Sequence, residues 1–123
     1  MERPLVGRVI LIVEDQPLIA LDVASTFEKA GAKVKQATTL RHAMSLAEDD
    51  DLSAAVLDHA LGDGDSSQLC ERLKERDIPF VLHSGYSKLE GACSEGVVMG
   101  KPVHPDMLVM TVAGLLRSHP IAN

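Results

Sequence analysis

"RVILIVEDQP", residues 8–17, limits what this chain can fold into more than any other stretch. The apolar run "RVILIV" lacks polar alternation and is rich in β-branched residues, so it reads as a strand covered on both faces; the acids and proline behind it end the run. It is too short to span a bilayer, and no signal-peptide pattern precedes it. A strand with two apolar faces needs a layer above and a layer below, which predicts helices on both sides of a sheet.

The rest of the chain supplies those layers at regular intervals. Pro17 can open a helix in which Ala20, Val23, Ala24 and Phe27 share one face, and Gly31 is placed to cap its end. "AKVKQA", residues 32–37, alternates like a half-buried strand, and Thr38 or Thr39 can cap a second helix carrying Leu40, Ala43, Met44 and Ala47 on one side. "LSAAVLD", residues 52–58, reads as a third strand, after which Ser66 or Ser67 can start a helix that buries Leu69, Cys70 and Leu73. "IPFVLHSG" and "GVVM" read as the fourth and fifth strands, and the last helix runs from about Pro105 to Leu116. Strands alternating with helices predict a doubly wound α/β fold with a five-stranded parallel sheet, because right-handed crossovers place helices on both faces. At 123 residues the chain, 1–123, is expected to be one domain with no output domain.

Charge and composition narrow the partners. A formal charge of −6 argues against nucleic-acid binding, which needs clustered Lys and Arg, and suits cations or basic partners. Cys70 and Cys93 belong to no CxxC or Cys/His cluster, so neither zinc nor a disulfide framework is expected, and a cytoplasmic protein without membrane attachment is.

The stretch "AAVLDHALGDGDSS", residues 54–67, has the acid density of a calcium loop but not its spacing. Counting from Asp58, the third position is Ala60 and the fifth Gly62; counting from Asp63, the twelfth is Lys74 where an EF-hand needs glutamate. Ligands of doubly wound sheets bind beyond the carboxyl ends of the strands. Glu14 and Asp15 follow the first strand there, Asp58 ends the third, Ser84 ends the fourth and Lys101 follows the fifth. Singly, each reads as a turn or surface residue; together they form a matched set. Three carboxylates at short range repel one another and favour a hard divalent cation held through oxygen, for which Mg2+ is the natural choice. The cation offsets the charge of an arriving phosphoryl group, one carboxylate can then attack phosphorus, and Lys101 and the Ser84 hydroxyl can hold the phosphoryl oxygens. His59 and His83 adjoin Asp58 and Ser84, but strand alternation is expected to turn both imidazoles away from the pocket, which makes them structural. His42, His104 and His119 show no ligand spacing.

In these residues the chain resembles the receiver domain of two-component response regulators, of the stand-alone type. "ILIVEDQP" carries the acidic pair, "VLDHALGDG" the central Asp58, "FVLHSGY" Ser84, and "GKP" Lys101 with Pro102; the likeness covers nearly the whole chain. The resemblance implies a flavodoxin-like strand order 2-1-3-4-5 and a phosphorelay role. It makes Asp58 the phosphoacceptor, with Glu14, Asp15, Asp58 and the backbone carbonyl of Ala60 around Mg2+. Ser84 becomes the switch hydroxyl and Lys101 the phosphate-sensing lysine, with a cis Lys101–Pro102 bond. A histidine kinase or histidine phosphotransfer protein would be the donor, a downstream protein the target, and the only chemistry the chain's own phosphorylation and dephosphorylation.

Three features depart from that pattern. Val98 stands where typical receivers carry an aromatic switch residue, and Tyr86 is either a partial replacement or a packed loop residue. Ser84 and Lys101 stand 17 positions apart, fewer than usual, with Gly91 and Gly96 between them, which predicts a shortened fourth helix. The last helix is apolar around much of its circumference: it is either a well-buried terminal helix or a partner or homodimer surface built on Met107, Leu108, Met110, Val112 and Leu115. Two other functions compete with the phosphorelay. A phosphorylation-independent interaction module fits the altered switch residues, and a hydrolase of the haloacid-dehalogenase type is weakened by Ala60, which stands where its DxD motif has the second aspartate.

Overall fold

In chain order the elements are β1 (Val9–Val13), α1 (Pro17–Lys29), β2 (Lys33–Ala37), α2 (Leu40–Leu46), β3 (Ala54–Asp58), β4 (Ala60–Leu61), β5 (Gly64–Asp65), α3 (Ser67–Glu75), β6 (Phe80–Ser84), β7 (Val97–Gly100) and α4 (Pro105–Ser118). They are those of a computed structural model that describes residues 3–58, 60–61, 64–84, 96–100 and 103–118. β1 is buried from end to end. It pairs in parallel with β2 on one side and β3 on the other, and the five-stranded sheet runs β2-β1-β3-β6-β7. This is the expected 2-1-3-4-5 order, since β6 and β7 are the fourth and fifth strands of that sheet.

Alternation along the strands divides the core in two. Leu11, Val13, Leu57 and Leu82 face α2 and α3, packing with Ala43, Ala47, Leu69 and Leu73. Ile10, Ile12, Val56 and Val81 face α1 and α4, packing with Val23, Phe27, Leu108 and Val112. Each fully buried aliphatic or aromatic side chain contributes about 1.5–3 kcal/mol, and the two layers together hold the strand ends level. Leu5, which periodicity did not single out, is fully buried in the α1/α4 layer, and its N–H donates to the Ala30 carbonyl at 2.9 Å.

Several helix ends follow their sequence signals. Thr39, of the two candidates, caps α2 by accepting from the His42 N–H at 3.1 Å. At the end of α1 the N–H of Gly31 donates to the Glu28 carbonyl and that of Ala32 to the Phe27 carbonyl, a Schellman pair, with Gly31 at φ +100. Asp77 takes the same role after α3 at φ 56. α2 and α3 are also joined by a two-pronged ion pair, the Arg72 Nε and Nη2 each lying 2.7 Å from a Glu48 carboxylate oxygen.

Three expectations change. The turn after Asp58 contains a small antiparallel pair, with Ala60 opposite Asp65 and Leu61 opposite Gly64; the Gly-Asp dipeptide between them was a readable hairpin signal. Leu108 and Val112, named as interface candidates, are fully buried core residues because their stripe faces the sheet, and Leu115 packs partly against the same layer. The exposed apolar side chains of α4 are Met107 and Met110. Cys70, expected as an isolated thiol, is fully buried and disulfide-bonded; the chain's other cysteine, Cys93, lies outside the described residues. The region expected to hold a shortened fourth helix also lies outside them, as does Tyr86. Among the described residues no helix is long and apolar enough to cross a membrane.

Two stability measurements check this account. A Cβ on Gly31 would stand 2.6 Å from Val6 Cγ2 and 2.9 Å from the Val6 nitrogen. Gly31→Ala is therefore expected to lower the unfolding free energy by about 2 kcal/mol, combining left-handed backbone strain with the clash, at unchanged denaturant dependence. The Arg72 donors hold the Glu48 carboxyl below its ordinary 4.5, so the ion pair stabilises the fold above that pH and its contribution fades as the pH falls through the depressed value. In thermal melts below pH 4.5, the wild type should lose Tm more steeply than Glu48→Gln, by a small margin because the pair is exposed.

Candidate functional site

The site lies where β1 and β3 end side by side. Val13 pairs with Leu57, so the next residues along, Glu14 and Asp58, emerge together at the carboxyl edge of the sheet. The Glu14 N–H donates to the Ala37 carbonyl at 3.1 Å, continuing the β1–β2 alignment past the strand, and a Glu14 Oε2 accepts from the Gln16 N–H at 3.2 Å. Pro17 then opens α1, which turns the chain sharply away and leaves Asp15 at the rim.

The result is a concentration of negative charge. One carboxylate oxygen from each of Glu14, Asp15 and Asp58 lies within 4.8 Å of the other two. Glu14 and Asp58 are only 4% and 5% exposed, so water screens their mutual repulsion poorly. Three oxygen donors of this kind, with the half-buried Asp15 at the rim, fit a hard divalent cation that keeps part of its water shell. Histidine nitrogen takes no part: among the described residues the group consists of these three carboxylates.

The remaining candidates are placed unevenly. Ala60 follows two residues after Asp58, at the start of β4. Ser84 ends β6, with Gly100 as its backbone partner on β7, so it reaches the same edge of the sheet. Lys101, Pro102 and the peptide bond between them lie outside the described residues, as do His59 and Asp63. Asp65 is drawn into β5, where its backbone pairs with Ala60. Val98 pairs with Leu82 and is 40% exposed on β7.

His83 is the residue that strand alternation misjudged. It was expected to turn away from the pocket because it precedes Ser84, yet the β3–β6 register sets it directly beside Asp58. The alternation argument used the wrong reference: Asp58, rather than Ser84, fixes the face, and the in-register neighbour shares it.

With this geometry in place, comparison with known proteins gives a consistent answer. The family description "Response regulator receiver domain" matches residues 10–112, and the chain belongs to that family. A response regulator receiver protein of Sinorhizobium medicae is 24% identical with a TM-score of 0.83, the match covering 93% of this chain and 98% of that one. A CheY-like receiver domain protein of Methanospirillum hungatei is 25% identical with a TM-score of 0.80, covering 90% and 94%. The beryllofluoride-activated NtrC4 receiver domain dimer, in solution, is 22% identical with a TM-score of 0.77, covering 91% and 98%. None of the curated proteins compared matches. Receiver domains are regulatory modules of two-component signalling, and the flavodoxin-like order of the sheet is theirs.

Crowded carboxylates make a direct prediction about cation binding. Mg2+ should raise the Tm of the wild type by mass action. Asp15→Asn should raise the Tm of the cation-free protein, by relieving repulsion, while weakening Mg2+ binding by at least about tenfold, the lower end of what losing even a supporting partner costs. A thermal melt series across Mg2+ concentration reads both effects.

Proposed function

We propose that this chain accepts a phosphoryl group on Asp58 from a phosphohistidine donor, a histidine kinase or histidine phosphotransfer protein, and that the phosphorylated form changes its binding to a downstream protein. The observation that carries this reading is the gathering of the Glu14, Asp15 and Asp58 carboxylates at the end of a buried parallel sheet, in a chain of the receiver family. An Asp58 oxygen attacks phosphorus, the donor's nitrogen–phosphorus bond breaks, and its electron pair returns to the imidazole. Glu14, Asp15, Asp58 and the Ala60 carbonyl hold Mg2+, which when bound offsets the negative charge of the phosphoryl oxygens. Ser84 and Lys101 take those oxygens as the switch hydroxyl and the sensing lysine, the latter ahead of a cis Lys101–Pro102 bond.

A protein donor has a place to dock beside the site. Leu18 and Leu21 on α1 are 82% and 64% exposed, one and two turns beyond the acidic pair. Exposed leucines next to a buried acceptor suit a helical partner that brings its histidine over Asp58. A homodimer through the last helix remains part of the proposal, carried by Met107 and Met110. The protein acts in the cytoplasm through this receiver domain, which catalyses only its own phosphorylation and dephosphorylation.

Intact mass after incubation with acetyl phosphate tests the chemistry. The wild type should gain one phosphoryl group in the presence of Mg2+ and none when the cation is chelated, and Asp58→Ala should gain none in either. Labelling that persists in Asp58→Ala sinks the acceptor assignment; no gain under any condition leaves the interaction module as the better reading.

A further inference from the structure

β7 ends the sheet on one side and β2 on the other, and the two edges are finished differently. β2 carries Lys33 and Lys35, the latter paired with Asp49 and Asp51, and charge of this kind keeps an edge strand from recruiting another chain. β7 has neither a charged residue nor a proline, and among the described residues no strand pairs with its outer side. In register with Val81 and Leu82, Val97 belongs to the α1/α4 face and Val98 to the α2/α3 face, yet they are 36% and 40% exposed, so both core layers stop unfinished at this edge. At the amino end of the strand lies a cavity of about 200 Å3 lined by Ile78, Phe80, Val97 and Leu115, with Lys74 and Asp77 beside them. A Cβ on Gly96 would collide with the Phe80 ring, so the start of β7 is pressed closely onto β6 and the edge is preformed.

We infer that β7 is a docking edge for an extended, uncharged segment of another protein, which adds to the sheet as a further strand and places one aliphatic side chain in the cavity beside Val97. The outer backbone groups of an edge strand accept only an extended chain; main-chain hydrogen bonds then supply affinity and a side-chain pocket supplies choice of partner. Valines open on both faces call for β-branched neighbours at successive positions of that segment. A second copy of this chain fits the edge less well. Four residues of strand, about 13 Å long, cannot bury the roughly 800 Å2 per partner that a stable dimer needs. In an antiparallel self-pair centred on the strand, the sequence after Gly100, Lys101 and Pro102, comes opposite the start of the other copy's β7, and proline cannot extend a ladder. The formal charge of −6 also sets two copies against each other and favours a segment with basic flanks. None of this depends on the phosphorylation of Asp58.

The probe is a synthetic peptide of valines and threonines around one leucine, with lysines at both ends, and its control carries proline in place of the leucine. Titration calorimetry should find the wild type binding the first peptide at least about tenfold more tightly than the second, because proline breaks the ladder. Val98→Glu should weaken binding of the first peptide by about tenfold even though its charge suits the lysines, while Lys33→Thr on the opposite edge should leave it unchanged. In the wild type, the outward-facing amides of Val97–Gly100 should exchange with deuterium at least about tenfold more slowly when the peptide is bound. Equal affinity for the two peptides, no binding at millimolar peptide, a Val98→Glu variant that binds like wild type, or β7 amides that exchange unchanged each overturn the inference. Protection of the β2 amides in place of those of β7 overturns it as well. A wild type that sediments as a dimer while Val98→Glu sediments as a monomer makes a second copy the occupant and overturns the assignment to another protein. If Val98→Glu does not fold, amide exchange in the wild type decides alone.

Discussion

The repulsion among Glu14, Asp15 and Asp58 is the constraint around which the rest of the molecule is arranged. Carboxylates this close separate unless the backbone beneath them cannot move, and two of the three are almost fully buried. What holds them is the depth of the sheet: β1 and β3 are each buried along all five residues, with apolar layers on both faces. Loosening either layer would let the strand ends part and the charges relax. The hydrophobic core therefore stores the electrostatic tension that a bound cation would relieve.

The two layers differ in how they are secured, and the difference bears on function. The α2/α3 side is laced at the surface by Arg72 with Glu48 and by Lys35 with Asp49 and Asp51, while the Arg76 guanidinium donates to the carbonyls of Ala47 and Asp49 behind α2. The α1/α4 side relies on packing, with Phe27, Leu108 and Val112 fully buried. It also carries the exposed apolar residues Leu18, Leu21, Met107 and Met110. Surface ion pairs keep the first layer solvated and unavailable, whereas the second offers apolar area to other proteins.

Much of this was legible in the residues because local and global signals agree. The run "VILIV" can only be a central strand, Pro17 and Gly31 bracket α1, and the acids fall at strand ends because those are the positions where a buried strand meets water. Misreadings arose where position depended on a partner strand or layer. Leu5 has no periodic neighbours to reveal it, and Leu108 and Val112 differ from Met107 and Met110 only through which side of α4 meets the sheet. The β4–β5 pair is two residues a side, too short for alternation to register.

The histidine at position 83 shows what strand register adds to alternation along one strand. Sequence alternation relates a side chain to its own strand, and from Ser84 it points to the wrong face. Pairing relates it to the next strand, and there it shares the face of Asp58. An apolar side chain at that place would complete the core equally well, continuing the series of Val81 beneath it. A polar ring costs more to bury there than a leucine or valine.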